Sequence, residues 1–250
     1  MVHSSSCDNA FAAVYALGSL AEEPEVKHQL VELAATAAVV AVVNTARLEF
    51  KRAAAYFFAR LAENVEFHGP LADCGALEAI IAIASLEDTE CQECAAFALA
   101  HLASDRLLQV PLVTLGALKP LVAMMSVQAE PRHYAGLALL KLADNFENHV
   151  AIAQEGGIQA LLRLGRERTT DEELQYKAAL TVGSLASNAV KMMPNTTSRA
   201  NGRSAEIGFG AASMLQAYIY IEKRPDTRVS RIFSFKDGLP WGVRILERLV

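Results

Sequence analysis

The triplet Gly75-Ala76-Leu77 returns 41 residues later as Gly116-Ala117-Leu118, and 41 residues further on as Gly157-Ile158. A second marker, Leu-Ala, stands at Leu20-Ala21, Leu61-Ala62, Leu102-Ala103, Leu142-Ala143 and Leu185-Ala186, with steps of 41, 41, 40 and 43. Two markers holding one period mean that the chain is a repeat array before it is anything else. The longer last step falls at Glu167–Glu173, a polar stretch suited to a loop insertion. Within each unit the pattern is helical. Leu77, Ile80, Ile81 and Ala84 form an i, i+3, i+4, i+7 stripe, which Leu118, Leu121, Val122 and Met125 repeat and Ile158, Leu161 and Leu162 begin again. A second, longer helix carries Ala54-Ala55-Tyr56-Phe57-Phe58-Ala59-Arg60-Leu61-Ala62 and its counterpart Ala95-Ala96-Phe97-Ala98-Leu99-Ala100-His101-Leu102-Ala103. Alanines at fixed places let neighbouring helices approach, and no unit is large enough to bury its own apolar stripe, so units must stack.

The glycines at 75, 116 and 157 sit between a short helix (for example Pro111–Leu115) and a longer one (Ala117–Ser126). A sharp corner there favours a residue without a Cβ. The first unit offers Ala34 instead, which predicts a less sharp corner or a register displaced by one.

A unit of about 41 residues, a Gly-Ala-Leu or Gly-Gly-Ile corner, and an Ala-rich third helix ending in Leu99-Ala100-His101-Leu102-Ala103 look like the armadillo repeat. The corner glycine favours armadillo over HEAT units. Glu155-Gly156-Gly157-Ile158-Gln159-Ala160-Leu161-Leu162-Arg163-Leu164 carries the resemblance most fully, which extends from Ala10 to about Asn188. It implies an all-α fold, a right-handed alpha-alpha superhelix. The expected organisation is an array over 1–190, with a partial unit at 10–21 and units at about 22–62, 63–103, 104–143 and 144–188, then a linker and basic extension over 191–250.

The resemblance also implies a concave groove lined by third helices that holds extended peptides. The positions matching the groove pairs of the importin-α type are Tyr15 and Ser19, Tyr56 and Arg60, Phe97 and His101, Leu137 and Lys141, Leu180 and Ser184. The aromatic member survives in three units, without Trp, and the Asn member is absent, which argues against basic nuclear-import peptides. Tyr15, Tyr56 and Phe97 would instead make an aromatic stripe, and Arg60, His101 and Lys141 a cationic one, closer to the β-catenin type. The expectation is a non-enzymatic scaffold for an acidic or phosphorylated segment, with Arg60 offering a bidentate fork and Lys141 a point charge. His101 would add charge only when protonated. Against this stands the plainer reading that these cations are a solvated face and the aromatics pack between repeats.

Other constellations carry less. Cys91-Gln92-Glu93-Cys94 lacks the βαβ setting of a redox motif and reads as two small apolar residues on a helix; Cys74 and His101 are the only further zinc ligands within reach of sequence. Of the six histidines, His101 alone lies away from helix ends and polar loops; the other five, His3, His28, His68, His133 and His149, read as surface residues. Asp171-Glu172-Glu173 and Glu22-Glu23-Pro24-Glu25 read as helix starts. There is no phosphate-binding loop and no nucleophile elbow, so no catalytic group and no cofactor or metal is expected.

Four cysteines in 250 residues argue against a disulfide framework and for a reducing compartment, the cytoplasm first and the nucleus second. The start shows no secretory signal, and no apolar run reaches the roughly 20 residues of a membrane span. The helix Ala10–Ala21 reads as a third helix without its own first and second. Phe11, Ala13, Val14 and Leu17 would then be bare, covered by residues 1–9, by another copy, or by the rest of a longer array. Residues 206–222 could form one capping helix. From Lys191 on the chain carries 10 basic and 5 acidic residues, net +5, against −10 for the first 190. That asymmetry fits a basic tail for an outside acidic surface or one that docks on its own array, and no specific nucleic-acid motif accompanies it.

Overall fold

The structure of the chain, a computed structural model, describes residues 2–43, 47–126, 131–166, 177–178 and 181–185. Among these residues every regular element is helical. By contact the chain divides into two units, Met1–Asn148 and His149–Val250.

In the first unit α1 (Val2–Leu20) is followed by three helical triplets: α2 (Pro24–Glu32), α3 (Ala35–Val43) and α4 (Leu48–Ala62); α5 (His68–Asp73), α6 (Ala76–Ala84) and α7 (Thr89–Leu102); α8 (Arg106–Thr114), α9 (Leu118–Met124) and α10 (Pro131–Leu142). The long helices α1, α4, α7 and α10 pack side by side in that order. Behind them α3, α6 and α9 each pack on the long helix of their own triplet and on one another. Phe57, Phe58, Leu61, Ile80, Ile83, Leu99, Leu102, Leu121 and Met124 fill the interlayer space and are fully buried. Each such side chain contributes about 1.5–3 kcal/mol relative to exposure, so the seam between layers is the main source of stability.

The corners decide how the triplets stack. The segment Val65–Asp73 meets α6 at 94°, and α8 meets α9 at 88°. The residues at these corners, Gly75 and Gly116, have φ of 77° and 92°. Ala34 takes the same left-handed conformation, with φ 55°, so the first corner uses the same backbone turn and the register holds. The backbone turns left-handed there without a glycine because packing of α2 and α3 outweighs the roughly 1–2 kcal/mol that a Cβ costs.

The second unit contains α11 (His149–Gln154) and α12 (Gly157–Arg166), and helix over 181–185. Its left-handed corner residue is Gly156, φ 81°, one place before the glycine expected from the sequence. Gly157 serves a different need: a Cβ on it would stand 2.4 Å from Ile152 Cγ2 and 2.8 Å from the Ile152 carbonyl oxygen. One glycine turns the chain and the next lets two helices touch.

Two further expectations are corrected. Pro111 lies inside α8 rather than opening it, because the helix begins at Asp105, whose side chain accepts from Leu107 N at 2.9 Å. Residues 2–9 continue α1 as helix and do not fold back across Phe11 and Val14; Val14 is buried, and Phe11 meets Phe50 edge-on at 6.0 Å. The start at Glu22–Glu25 is as expected, with Pro24 in the first turn of α2. The insertion at 167–173, the acidic start at 171–173, and the whole of 191–250 with its capping helix and basic charge lie outside the described residues.

Candidate functional site

The long helices run in the same direction, and polar groups tie their ends. At the leading ends Arg52 of α4 grips Asp88, the N-cap of α7, with Nη2 2.6 Å from Oδ2 and Nε 3.2 Å from Oδ1. Asp88 also accepts from Cys91 N at 3.0 Å. The guanidinium, opposed by burial and helped by the backbone donor, lowers the Asp88 carboxyl to about 2.

At the trailing ends a buried row does the same work. His68 Nε2 donates to the Ala62 carbonyl at 2.8 Å, and its Nδ1 stands 3.8 Å from Asp105 Oδ2. Gln109 Nε2 reaches both Ala103 O at 3.0 Å and Lys141 O at 2.9 Å, bridging the ends of α7 and α10. Asn148 Nδ2 donates to Leu142 O at 2.9 Å and Gln109 O at 3.1 Å. Lys27 opens the series, with Nζ 2.8 Å from Asn64 Oδ1 and 3.2 Å from Glu63 Oε2. Lys27, His68 and Gln109 are 41 residues apart and buried. His68 and His149 are therefore not surface residues; both are buried at the start of a first helix. The ladder escaped a reading that followed apolar residues alone, although its exact period was there to find.

Between the tied ends the third-helix face carries a chain of ring contacts. The Arg60 guanidinium carbon lies 5.4 Å from the Tyr56 ring centre on its own helix and 5.6 Å from Phe97 on the next. Phe97 lies 4.5 Å from His101 with the rings tilted by 46°, and meets Tyr134 of α10 edge-on at 5.0 Å. Tyr56 donates its hydroxyl to Glu22, and that bond, more than burial, raises the phenol above its ordinary range. Arg60 Nη1 is bound by Glu63 Oε1 at 2.9 Å. Burial pushes His101 below the usual imidazole value; Glu63 opposes this, and His68 and Arg60 reinforce it.

Tyr56, Arg60, Phe97 and His101 thus form one contiguous cluster. Tyr15 is 58% exposed on α1 beside Phe11, with ring centres 6.3 Å apart, and Ser19 is exposed a turn later. Leu137 is half-buried and Lys141 exposed on α10. The aromatic partner in α10 is Tyr134, one turn before Leu137, which the strict repeat register missed. The second charged feature missed is Glu63, which ties Arg60 and Lys27 together. Ser184 is exposed on the helix at 181–185 in the second unit, and Leu180 lies outside the described residues.

Cys91 and Cys94 do pack as apolar residues: burial pushes the Cys91 thiol up to about 12 and that of Cys94 to about 11. Among the described residues no three His, Cys, Asp or Glu side chains converge as a metal site, and no single helix is long and apolar enough to cross a membrane.

No family model and no curated protein sequence matches the chain. Solved structures do. A set of computationally designed armadillo repeat proteins for modular peptide recognition superposes with a TM-score of 0.68 at 21% identity, over 88% of each chain. The chain has the armadillo repeat fold. A designed armadillo repeat protein gives 0.65 at 22% identity, over 87% of this chain and 86% of its own. Another, in complex with peptide (KR)4, gives 0.64 at 22% identity, over 88% of each.

Proposed function

We propose that this armadillo array is a non-catalytic protein-binding scaffold that holds an extended partner segment across α4, α7 and α10. One observation carries the reading: Tyr56, Arg60, Phe97 and Tyr134 form an unbroken line of half-buried contacts over three successive helices. Rings already held by neighbours present apolar area with little rotamer entropy left to lose on binding. The similar designed protein bound to peptide (KR)4 supports peptide binding on this fold.

The favoured partner is acidic or phosphorylated. Lys141 is exposed, and Arg60 sits between two rings with part of its fork turned to Glu63. A ligand carboxylate at Arg60 exchanges with Glu63 rather than meeting a bare cation. The ion pairs therefore orient the ligand, and the aromatic line supplies most of the affinity. The scaffold would work in the reducing compartment that the cysteine usage favours, the cytoplasm. Fluorescence anisotropy with matched acidic, phosphorylated and basic peptides tests the reading. The acidic pair should bind more tightly, Tyr56→Ala with Phe97→Ala should weaken binding of the acidic and phosphorylated peptides at least tenfold, and Arg60→Glu with Lys141→Glu should weaken that pair further in favour of basic peptides. Binding indifferent to both double substitutions would reject it.

A second reading, self-association through α1, is favoured by the exposed Phe11, Tyr15 and Leu20. A shift in size-exclusion volume on dilution, lost in Tyr15→Ser with Leu20→Ser, would support it.

A further inference from the structure

The trailing ends of the long helices present a second surface, separate from the ring line. Just past α4, α7 and α10 stand Val65, Leu107 and Phe146, exposed to 66%, 82% and 66%. Each lies within five residues of the end of a long helix, so stacking sets all three along one rim. The ladder of His68, Gln109 and Asn148 fixes those ends to one another, which makes the rim a rigid row rather than three loop tips. Segments 62–66, 103–107 and 143–147 hold five carboxylates and one cation, Arg106. Glu63 is committed to Lys27 and Arg60, which leaves Asp105, Asp144, Glu147 and Glu66, the last with His28 Nε2 at 3.5 Å, beside the apolar row. Behind Asp105 the fully buried His68 ring turns Nδ1 toward its carboxylate at 3.8 Å, and no hydrogen-bond donor among the described residues reaches that nitrogen. Asp105 Oδ1 accepts from Leu107 N, and Oδ2, with that ring nitrogen at 3.8 Å, has room to accept from an arriving N–H donor.

We propose that this rim docks an extended basic segment of another protein, with apolar side chains set against Val65, Leu107 and Phe146 and Lys or Arg against the carboxylates. Packed helices lie about 8–10 Å apart, and a chain extended as polyproline II advances about 3.1 Å per residue with every third side chain on one side. The fitting ligand therefore carries an apolar residue at every third position. An ammonium that reaches Asp105 meets Oδ2, the oxygen not bound by Leu107 N. Charge separates this partner from that of the ring line, so the two surfaces select different sequences.

The test uses the full chain and a labelled peptide of four Leu-Lys-Lys triplets, with four Leu-Glu-Glu triplets as control, read by fluorescence anisotropy. The basic peptide should bind, weaken at least tenfold in Leu107→Ser with Phe146→Ser, and weaken between about 0.05 and 0.3 M salt. Tyr56→Ala with Phe97→Ala should leave it unchanged, which separates failure here from failure of the ring-line reading. Circular dichroism checks that both double variants keep their helix; the substituted rim residues are exposed and make no core. Equal binding of the acidic control, indifference to the rim substitutions, or loss through the ring-line substitutions would each overturn the proposal.

Discussion

His101 occupies the place of a groove cation and yet holds its proton less well than a free imidazole, since burial, more than the Glu63 pull that opposes it, sets its value. An acidic ligand near it would raise its affinity for a proton, so binding takes a proton up. Acidic-peptide affinity should then increase as pH falls from about 7.5 through the region below the ordinary imidazole value of about 6.5, and level off once the free ring is protonated. The measurement is the dissociation constant against pH, and His101→Gln should flatten the curve. Asp88 shows the opposite sign. Its folded value of about 2 lies below the unfolded value of about 3.9, so its stabilisation is complete above about pH 4 and is lost as pH falls through 2. Asp88→Ala removes both the cap on α7 and the grip of Arg52 and should cost about 1–2 kcal/mol in urea unfolding at pH 7, with little left of that difference at pH 2. Neither residue's state was legible in the sequence: His101 fell on the repeat register, but whether it carries charge depends on how deeply it is buried and on Glu63, Arg60 and His68 around it. Tyr134 was hidden for a related reason, since a long side chain one turn out of register still reaches the same place.

The corner is the element that repeats most faithfully, and its spacing was readable while its chemistry was not. The period placed Ala34 at a corner, and the identity of the side chain argued that the corner should relax; the backbone obeys the period. Ala34→Gly should therefore raise stability by about 0.5–1 kcal/mol, visible as a higher urea midpoint at unchanged slope. A corner that was not left-handed would instead lose stability to the added backbone freedom. The buried polar ladder is the other recurring element. Gln109→Leu keeps the volume roughly but leaves the carbonyls of Ala103 and Lys141 without their donor, and should cost about 2–3 kcal/mol. Apolar periodicity revealed the seam between layers because burial drives it; it could not reveal groups that are buried to satisfy helix ends.

For the molecule as a whole, stability in a repeat array is close to a sum of units and nearest-neighbour junctions. Damage at one junction should then stay local. In the Gln109→Leu chain, hydrogen exchange should accelerate in α8 and α10 well before α2–α4, whereas a uniform rise across residues 22–142 would show one indivisible cooperative block. The armadillo fold was legible from two markers and their step, because stacking imposes the step. The line of ring contacts was legible only in part, because it is made between units and no single unit contains it. The Gly156-Gly157 corner has a consequence for anyone recombining these units. At the other two glycine corners the second place is filled by Ala76 and Ala117, so those modules can be copied in tandem as they stand. A module cut from residue 144 onward must keep Gly157 whatever stands at 152, since the alanine of its neighbours would press on the backbone carbonyl oxygen there as well as on the isoleucine side chain, and trimming the isoleucine relieves only the second.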